Sequence, residues 1–169
     1  LDPHARPTHT TRTSQPGSLL IGRERELAEL EAALDDVRAG AARAVLVHGE
    51  SGVGKSSLVR ELAARAAARH DAVVLRGRCF ERESVPFKGL DGVVDDLAAH
   101  LAGLPDAEAA TLAPPGAAAL VRTFPSLARV GAIAAASSGS DADFTVARER
   151  LFTTLRALLR NVAATRLLV

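Results

Sequence analysis

Leu27, Leu30, Leu34 and Val37 recur at three- and four-residue intervals, while Arg23, Glu24, Glu26, Glu29 and Glu31 fall mostly on the other faces. That stripe predicts an amphipathic helix, and Gly40 is its expected stop. Ala44 to His48 (AVLVH) has a different pattern, a short apolar and partly β-branched run bounded by Gly49. It predicts a strand buried on both faces. Lys55 to His70, rich in Ala, Leu, Arg and Glu, predicts a second helix, and Ala72 to Arg76 (AVVLR) a second buried strand closed by Gly77. Phe87, Leu90, Val94, Leu97 and Leu101 mark a further helix behind Pro86, a residue compatible with a helix start. Between residues 103 and 140, Pro105, Pro114, Pro115, Pro125 and the Ser137–Ser140 cluster divide the chain into short helices and loops. Phe144, Leu151, Leu155, Leu158 and Val162 then predict a long helix capped near Asp141 or Asp143. Arg166 to Val169 reads as a third strand at its start.

Strand, helix, strand, helices, strand is the order of an α/β fold, with helices on both faces of a parallel sheet. Residues 1–18, with Pro, Thr and His and no apolar period, predict a flexible linker, which leaves 19–169 as one domain. With 47% hydrophobic and 24% charged residues the chain can bury a core and is not expected to be disordered. The chain has no Met and starts at Leu1, so it is expected to be either processed or a piece of a longer polypeptide, with the second reading preferred. A net charge of +1, no Tyr or Trp and five Phe offer neither a basic patch nor a stacking platform, so no nucleic-acid partner is expected. The single Cys excludes an internal disulfide framework and a cysteine-based zinc site. No run is long and apolar enough for a membrane span or a signal-peptide core, and a cytoplasmic protein is expected.

Of 21 basic residues only Lys55 and Lys88 are lysines. Lys55 closes Gly49-Glu50-Ser51-Gly52-Val53-Gly54-Lys55-Ser56, which satisfies G-x-x-x-x-G-K-[ST], the Walker A pattern, between an expected strand and an expected helix. The glycines let successive backbone N–H groups turn inward toward phosphate oxygens, and the following helix adds its unpaired N–H groups and positive dipole end. Lys55 is the expected β/γ-phosphate contact and Ser56 the expected Mg²⁺ ligand, with Ser57 beside it. ATP and Mg²⁺ are therefore the expected ligands. Guanine recognition of the N-K-x-D type fails, because Asn161 is followed by Val162 and neither lysine follows an Asn.

Leu20-Ile21-Gly22-Arg23-Glu24-Arg25-Glu26-Leu27, shortly before this loop, resembles the hydrophobic-hydrophobic-Gly-Arg-x-x-Glu-Leu segment of the STAND and origin-recognition-like branch of AAA+ ATPases. The resemblance implies a three-layer αβα P-loop NTPase, here its N-terminal part, with Ile21 and Arg23 beside the adenine and Gly22 permitting the turn. Arg78 to Asp91 is similar to a segment of large bacterial regulators in which such a module is fused to a serine/threonine kinase, repeats or a response domain. That likeness implies a nucleotide-dependent switch working through flanking domains in signalling or transcription regulation. A small P-loop kinase acting on a small acceptor is the alternative, and it has no need of Gly22-Arg23-x-x-Glu26.

The family's Walker B is an apolar strand ending in acidic residues. Arg166-Leu167-Leu168-Val169 matches only the start of one, so hydrolysis is not expected from this stretch alone. Val93-Val94-Asp95-Asp96 imitates the motif, but the helical period of Leu90, Val94, Leu97 and Leu101 runs through it. Asp95 and Asp96 are therefore expected to be solvated helix charges. Cys79 is expected to pack as a small hydrophobe and His48 to be structural, and Arg60, Arg65 and Arg69 to form a solvated face with Glu61 in partial compensation.

Overall fold

The computed structural model describes residues 22–79, 87–134 and 144–169. The expected linker, Ile21, the 80–86 part of the second resembling segment and the caps at Asp141 or Asp143 lie outside them.

The first helix, α1 (Glu24–Arg38), buries Leu27, Leu30 and Leu34, three of the four stripe positions. It ends where the glycine stands: Gly40 N–H donates to the Val37 carbonyl and Ala41 N–H to the Asp36 carbonyl, each at 3.0 Å. This pair of bonds is the Schellman closure. Helix α2 (Lys55–His70) has the expected bounds. It lays Leu58 against Leu27 and Leu30, with Val47 and Leu62 packed at the edge of that seam.

A second, larger apolar cluster forms from α3 (Lys88–Ala102), α4 (Asp106–Leu112), α5 (Ala118–Thr123), a 3₁₀ turn (Pro125–Arg129), α6 (Gly131–Ala134) and α7 (Phe144–Ala163). Its centre is fully enclosed: Val94, Leu97, Ala98 and Leu101 of α3, Leu120, Leu127, Ile133, and Leu158 and Val162 of α7 are all at 0% exposure. The prolines that broke the apolar period sit at the starts and ends of short elements, where the chain has to turn. Pro105, for example, precedes α4 and its carbonyl accepts the first helical bond from Glu108 N–H at 2.9 Å. At the other end of α4 the Asn161 side-chain amide donates to the Leu112 carbonyl at 2.9 Å, so α7 satisfies a carbonyl that the helix itself cannot.

Two of the three expected strands meet. Val73 N–H donates to Leu167 O (2.8 Å), Val169 N–H to Val73 O (3.0 Å) and Leu75 N–H to Val169 O (2.7 Å). Val73 and Leu168 are bridged in parallel. The evenly slanted bonds are those of a parallel pair, and Asp71 forms an ion pair with Arg166 beside it. The bridge is isolated, however, and among the described residues no element reaches the length of a named strand.

Ala44–His48 corrects the sequence reading most clearly. It is not a strand, and it is not buried: Val45 is 57% and Leu46 85% exposed. A parallel strand needs a neighbour to take its N–H and C=O groups and helices on both faces. Here Val47 packs against the α1–α2 seam, and among the described residues no backbone is bridged to the segment. Among the described residues the parallel sheet of the expected αβα sandwich is thus represented by the 73/168 bridge alone.

Two smaller expectations also change. Asp95 and Asp96 are helical, as the period required, but Asp96 is not merely solvated, since its carboxylate accepts both the Arg76 backbone N–H (2.9 Å) and Nε (3.3 Å). Cys79 is exposed rather than packed, because the chain leaves the 73/168 bridge before reaching it.

Candidate nucleotide site

The Gly49–Ser56 loop joins the exposed 44–48 segment to the start of α2 and turns on positive backbone dihedrals. Gly52 has φ +84° and Gly54 φ +90°. A Cβ built on either would meet nothing within 4 Å, so glycine is demanded here by conformation and not by space. Gly54 then opens the helix: its carbonyl accepts both Ser57 N–H and Leu58 N–H at 3.0 Å, and no side chain caps α2. The N–H groups at the very start of α2 therefore have no partner within the helix, and its positive dipole end faces the loop.

Lys55 folds back over its own loop. Its Nζ donates to the Gly49 carbonyl at 2.9 Å and to the Glu50 carbonyl at 2.7 Å. The ammonium thus lies across the mouth of the turn, held by two neutral oxygens that a phosphate anion can replace. Ser56 is exposed in the first turn of α2. Its carbonyl accepts Arg60 Nε at 3.0 Å, and the neighbouring Ser57 hydroxyl accepts from Arg60 at 3.1 Å. Of the two hydroxyls, Ser56 stands open to a ligand while Ser57 already serves Arg60.

The second cation comes from the residue that precedes α1. Arg23 donates through one terminal nitrogen to the Val53 carbonyl, inside the loop, at 2.9 Å. Through the other it donates to the Glu26 carboxylate at 2.5 Å. A backbone hydrogen bond at Glu26 and then the Arg23 guanidinium hold that carboxyl below its ordinary range. Arg23, Glu26, Leu30, Val47, Lys55 and Leu58 are among the residues around a cavity of about 330 Å³ between α1, the loop and α2. Leu30, Val47 and Leu58 give it an apolar side, and its charged lining is mixed, with Arg23 and Lys55 beside Glu26 and Glu29, so the anionic part of a ligand is best placed at Lys55 and the loop. His48 and Val53 line the same cavity.

Sequence reasoning proposed Gly49, Glu50, Ser51, Gly52, Val53, Gly54, Lys55, Ser56, Ser57, Ile21 and Arg23 as one site. The loop residues and Arg23 do come together, while Ile21 lies outside the described residues. What was not legible is the bond from Arg23 to Val53, thirty residues away in the chain. Equally hidden were the bonds from Glu31 of α1 to Arg65 (2.9 Å) and Arg69 (3.1 Å) of α2. These three bonds cross between elements, and no local pattern announces them. The expected compensation of Arg65 by Glu61 is present at 2.9 Å, and Glu61 first and Glu31 second raise the Arg65 pKa.

The site's donor set fits Mg²⁺ held chiefly by phosphate oxygens. Ser56 offers one hard oxygen ligand, and among the described residues there is no group of three or more His, Cys, Asp or Glu able to hold a metal by itself. Among those residues, too, no helix is long and apolar enough to cross a membrane.

No curated protein and no solved structure matches the chain. A family model does, over residues 19–169, the span that begins just before Gly22-Arg23 and includes the whole phosphate-type loop. That family is a nucleotide-binding ATPase module of P-loop NTPase fold. The chain belongs to the AAA ATPase domain family.

Proposed function

We propose that the chain binds ATP with Mg²⁺ through Gly49–Ser57. Lys55 leaves the Gly49 and Glu50 carbonyls for the β- and γ-phosphates, Ser56 ligates Mg²⁺, Ile21 serves the adenine side, and Arg23 stays bound to the loop at Val53. The observation that carries this reading is the placing of Lys55: a cation across a glycine turn, at the uncapped start of α2, lining a cavity with an apolar side. Mg²⁺ when bound neutralises phosphate charge, and everything else rests on the loop's own N–H groups and Lys55. We further propose that nucleotide occupancy acts as a switch of STAND type for flanking domains of the same cytoplasmic signalling polypeptide, a kinase, repeat or DNA-binding domain. The Arg23–Val53 bond supports it, because it links the loop to the N-terminal end of a helix outside it.

The test is titration with a fluorescent ATP analogue and Mg²⁺, beside Lys55→Ala. Losing a charge-assisted contact of about 1.5–3 kcal/mol weakens binding roughly ten- to a hundredfold. Equal binding by both proteins would refute the assignment of Lys55.

A further inference from the structure

Ahead of α2, the phosphate-type loop presents three carbonyls held by side-chain cations. Lys55 takes Gly49 and Glu50, and Arg23 takes Val53. The two cations have different prospects. Lys55 belongs to the loop's own helix and is the group that turns toward a phosphate. Arg23 approaches from just before α1 and has no need to move when an anion arrives. One of its terminal nitrogens is fixed by Glu26 and the other is on the loop, so the guanidinium is oriented before any ligand enters. The peptide it grips, Val53–Gly54, leads directly into the positive-φ glycine that starts α2.

We infer that Arg23 is a positioning residue of this site: it holds the phosphate loop in its binding-competent turn through the Val53 carbonyl, so that its main effect is on recognition of the polyphosphate and not of the base. The inference rests on the nucleotide-binding reading above and deepens it. In the AAA resemblance Arg23 is an adenine-side residue, and the two roles predict different things for a ligand without a base.

The experiment compares MgATP with Mg-tripolyphosphate, an anion carrying the phosphates but no adenine, on the wild-type chain, Arg23→Ala and Arg23→Lys. If Arg23 sets the loop, Arg23→Ala weakens both ligands by a similar factor, at most about ten- to a hundredfold for one charge-assisted bond. Arg23→Lys, which keeps a donor for Val53, restores part of the loss for both. If Arg23 instead serves the base, MgATP weakens while tripolyphosphate is untouched, and that result overturns the proposal.

Amide hydrogen exchange on the nucleotide-free proteins forms an independent arm. Arg23→Ala raises exchange at Ser57 and Leu58, whose N–H groups bond to the Gly54 carbonyl, and leaves the α3 and α7 amides unchanged. Unchanged exchange at those two amides would overturn the proposal whatever the ligands do. Wild-type protein that binds neither ligand would refute the nucleotide-binding reading, and the exchange arm would still decide the role of Arg23.

Discussion

Gly92 lies in the middle of α3, where a glycine is costly: replacing it with Ala should favour the isolated helix by about 1 kcal/mol. The packing predicts the opposite for the folded chain. A Cβ at residue 92 would sit 2.6 Å from the Arg76 carbonyl oxygen and 3.5 Å from the Gly77 Cα. The obstacle is backbone, which cannot swing aside as a side-chain tip can. Gly77 faces the same crossing from the other side, with a Cβ there 2.8 Å from the Gly89 carbonyl oxygen and 2.9 Å from Val93 Cγ2. The segment after Val73 therefore runs over α3 on a glycine-to-glycine contact. To admit one methyl it must lift away, straining the bonds from Arg76 N–H and Nε to Asp96.

Overpacking a close contact costs roughly 1–3 kcal/mol, and loosening the Asp96 acceptor adds about 1 kcal/mol. Against the helix-propensity gain of about 1 kcal/mol, Gly92→Ala should destabilise by about 1–3 kcal/mol. Urea unfolding measures it as a lower midpoint at unchanged slope. Gly103→Ala is the control: Gly103 is in right-handed helical backbone at φ −84°, and its Cβ would make ordinary contact at 3.4 Å with the His100 carbonyl. That variant should stay within about 0.5 kcal/mol of the parent. A Gly92→Ala midpoint equal to or above the wild type would show that α3 and the Arg76–Gly77 segment do not approach as described.

Three other outcomes follow from the packing and the charges. Leu158→Ala, emptying a fully buried position of the larger core, should cost about 2–5 kcal/mol. Leu46→Ala, at a side chain 85% exposed, should cost less than about 0.5 kcal/mol in the same urea assay, and a loss above that would mean the 44–48 segment is covered in solution. Glu26 has a depressed carboxyl pKa, so its stabilising contribution is present above the unfolded-state value of about 4.3 and is lost as pH falls through the lower folded value. An NMR titration should find the Glu26 midpoint below the ordinary glutamate range and, because a backbone bond is the larger cause, should find it only partly raised in Arg23→Ala. A midpoint at or above the ordinary value would remove the Arg23–Glu26 link from the site.

What was legible in the sequence is what short-range chemistry dictates. The bounds of α2 follow from a glycine turn before Lys55 and an Ala-, Leu- and Arg-rich run after it. The α7 core positions Leu151, Leu155, Leu158 and Val162 follow from their spacing alone. Ala44–His48 shows the limit. An apolar β-branched run states that a segment can be a buried strand, but burial requires neighbours that the run does not encode, and Val45 and Leu46 stay exposed. Asp96 shows the same limit on a smaller scale: helical period placed it on α3 correctly, yet its partner, Arg76, is set by where the preceding segment crosses the helix.

The α1–α2 pairing shows how both kinds of information combine at the candidate site. Burial of Leu27, Leu30 and Leu58 contributes about 1.5–3 kcal/mol for each side chain. The partly exposed pairs Glu31–Arg65 and Glu31–Arg69 contribute about 0.2–1 kcal/mol each. The apolar seam therefore holds α1 to α2, and it is written in the spacing of the leucines. The ion pairs are too weak to decide whether the helices meet, but they suit a different task. Glu31 holds α1 against the later turns of α2, while Arg23 reaches Val53 just before its first. Contacts spaced along both helices fix their relative register, which a greasy seam alone leaves free to slide. A helix held in this way keeps the Arg23 guanidinium at the loop.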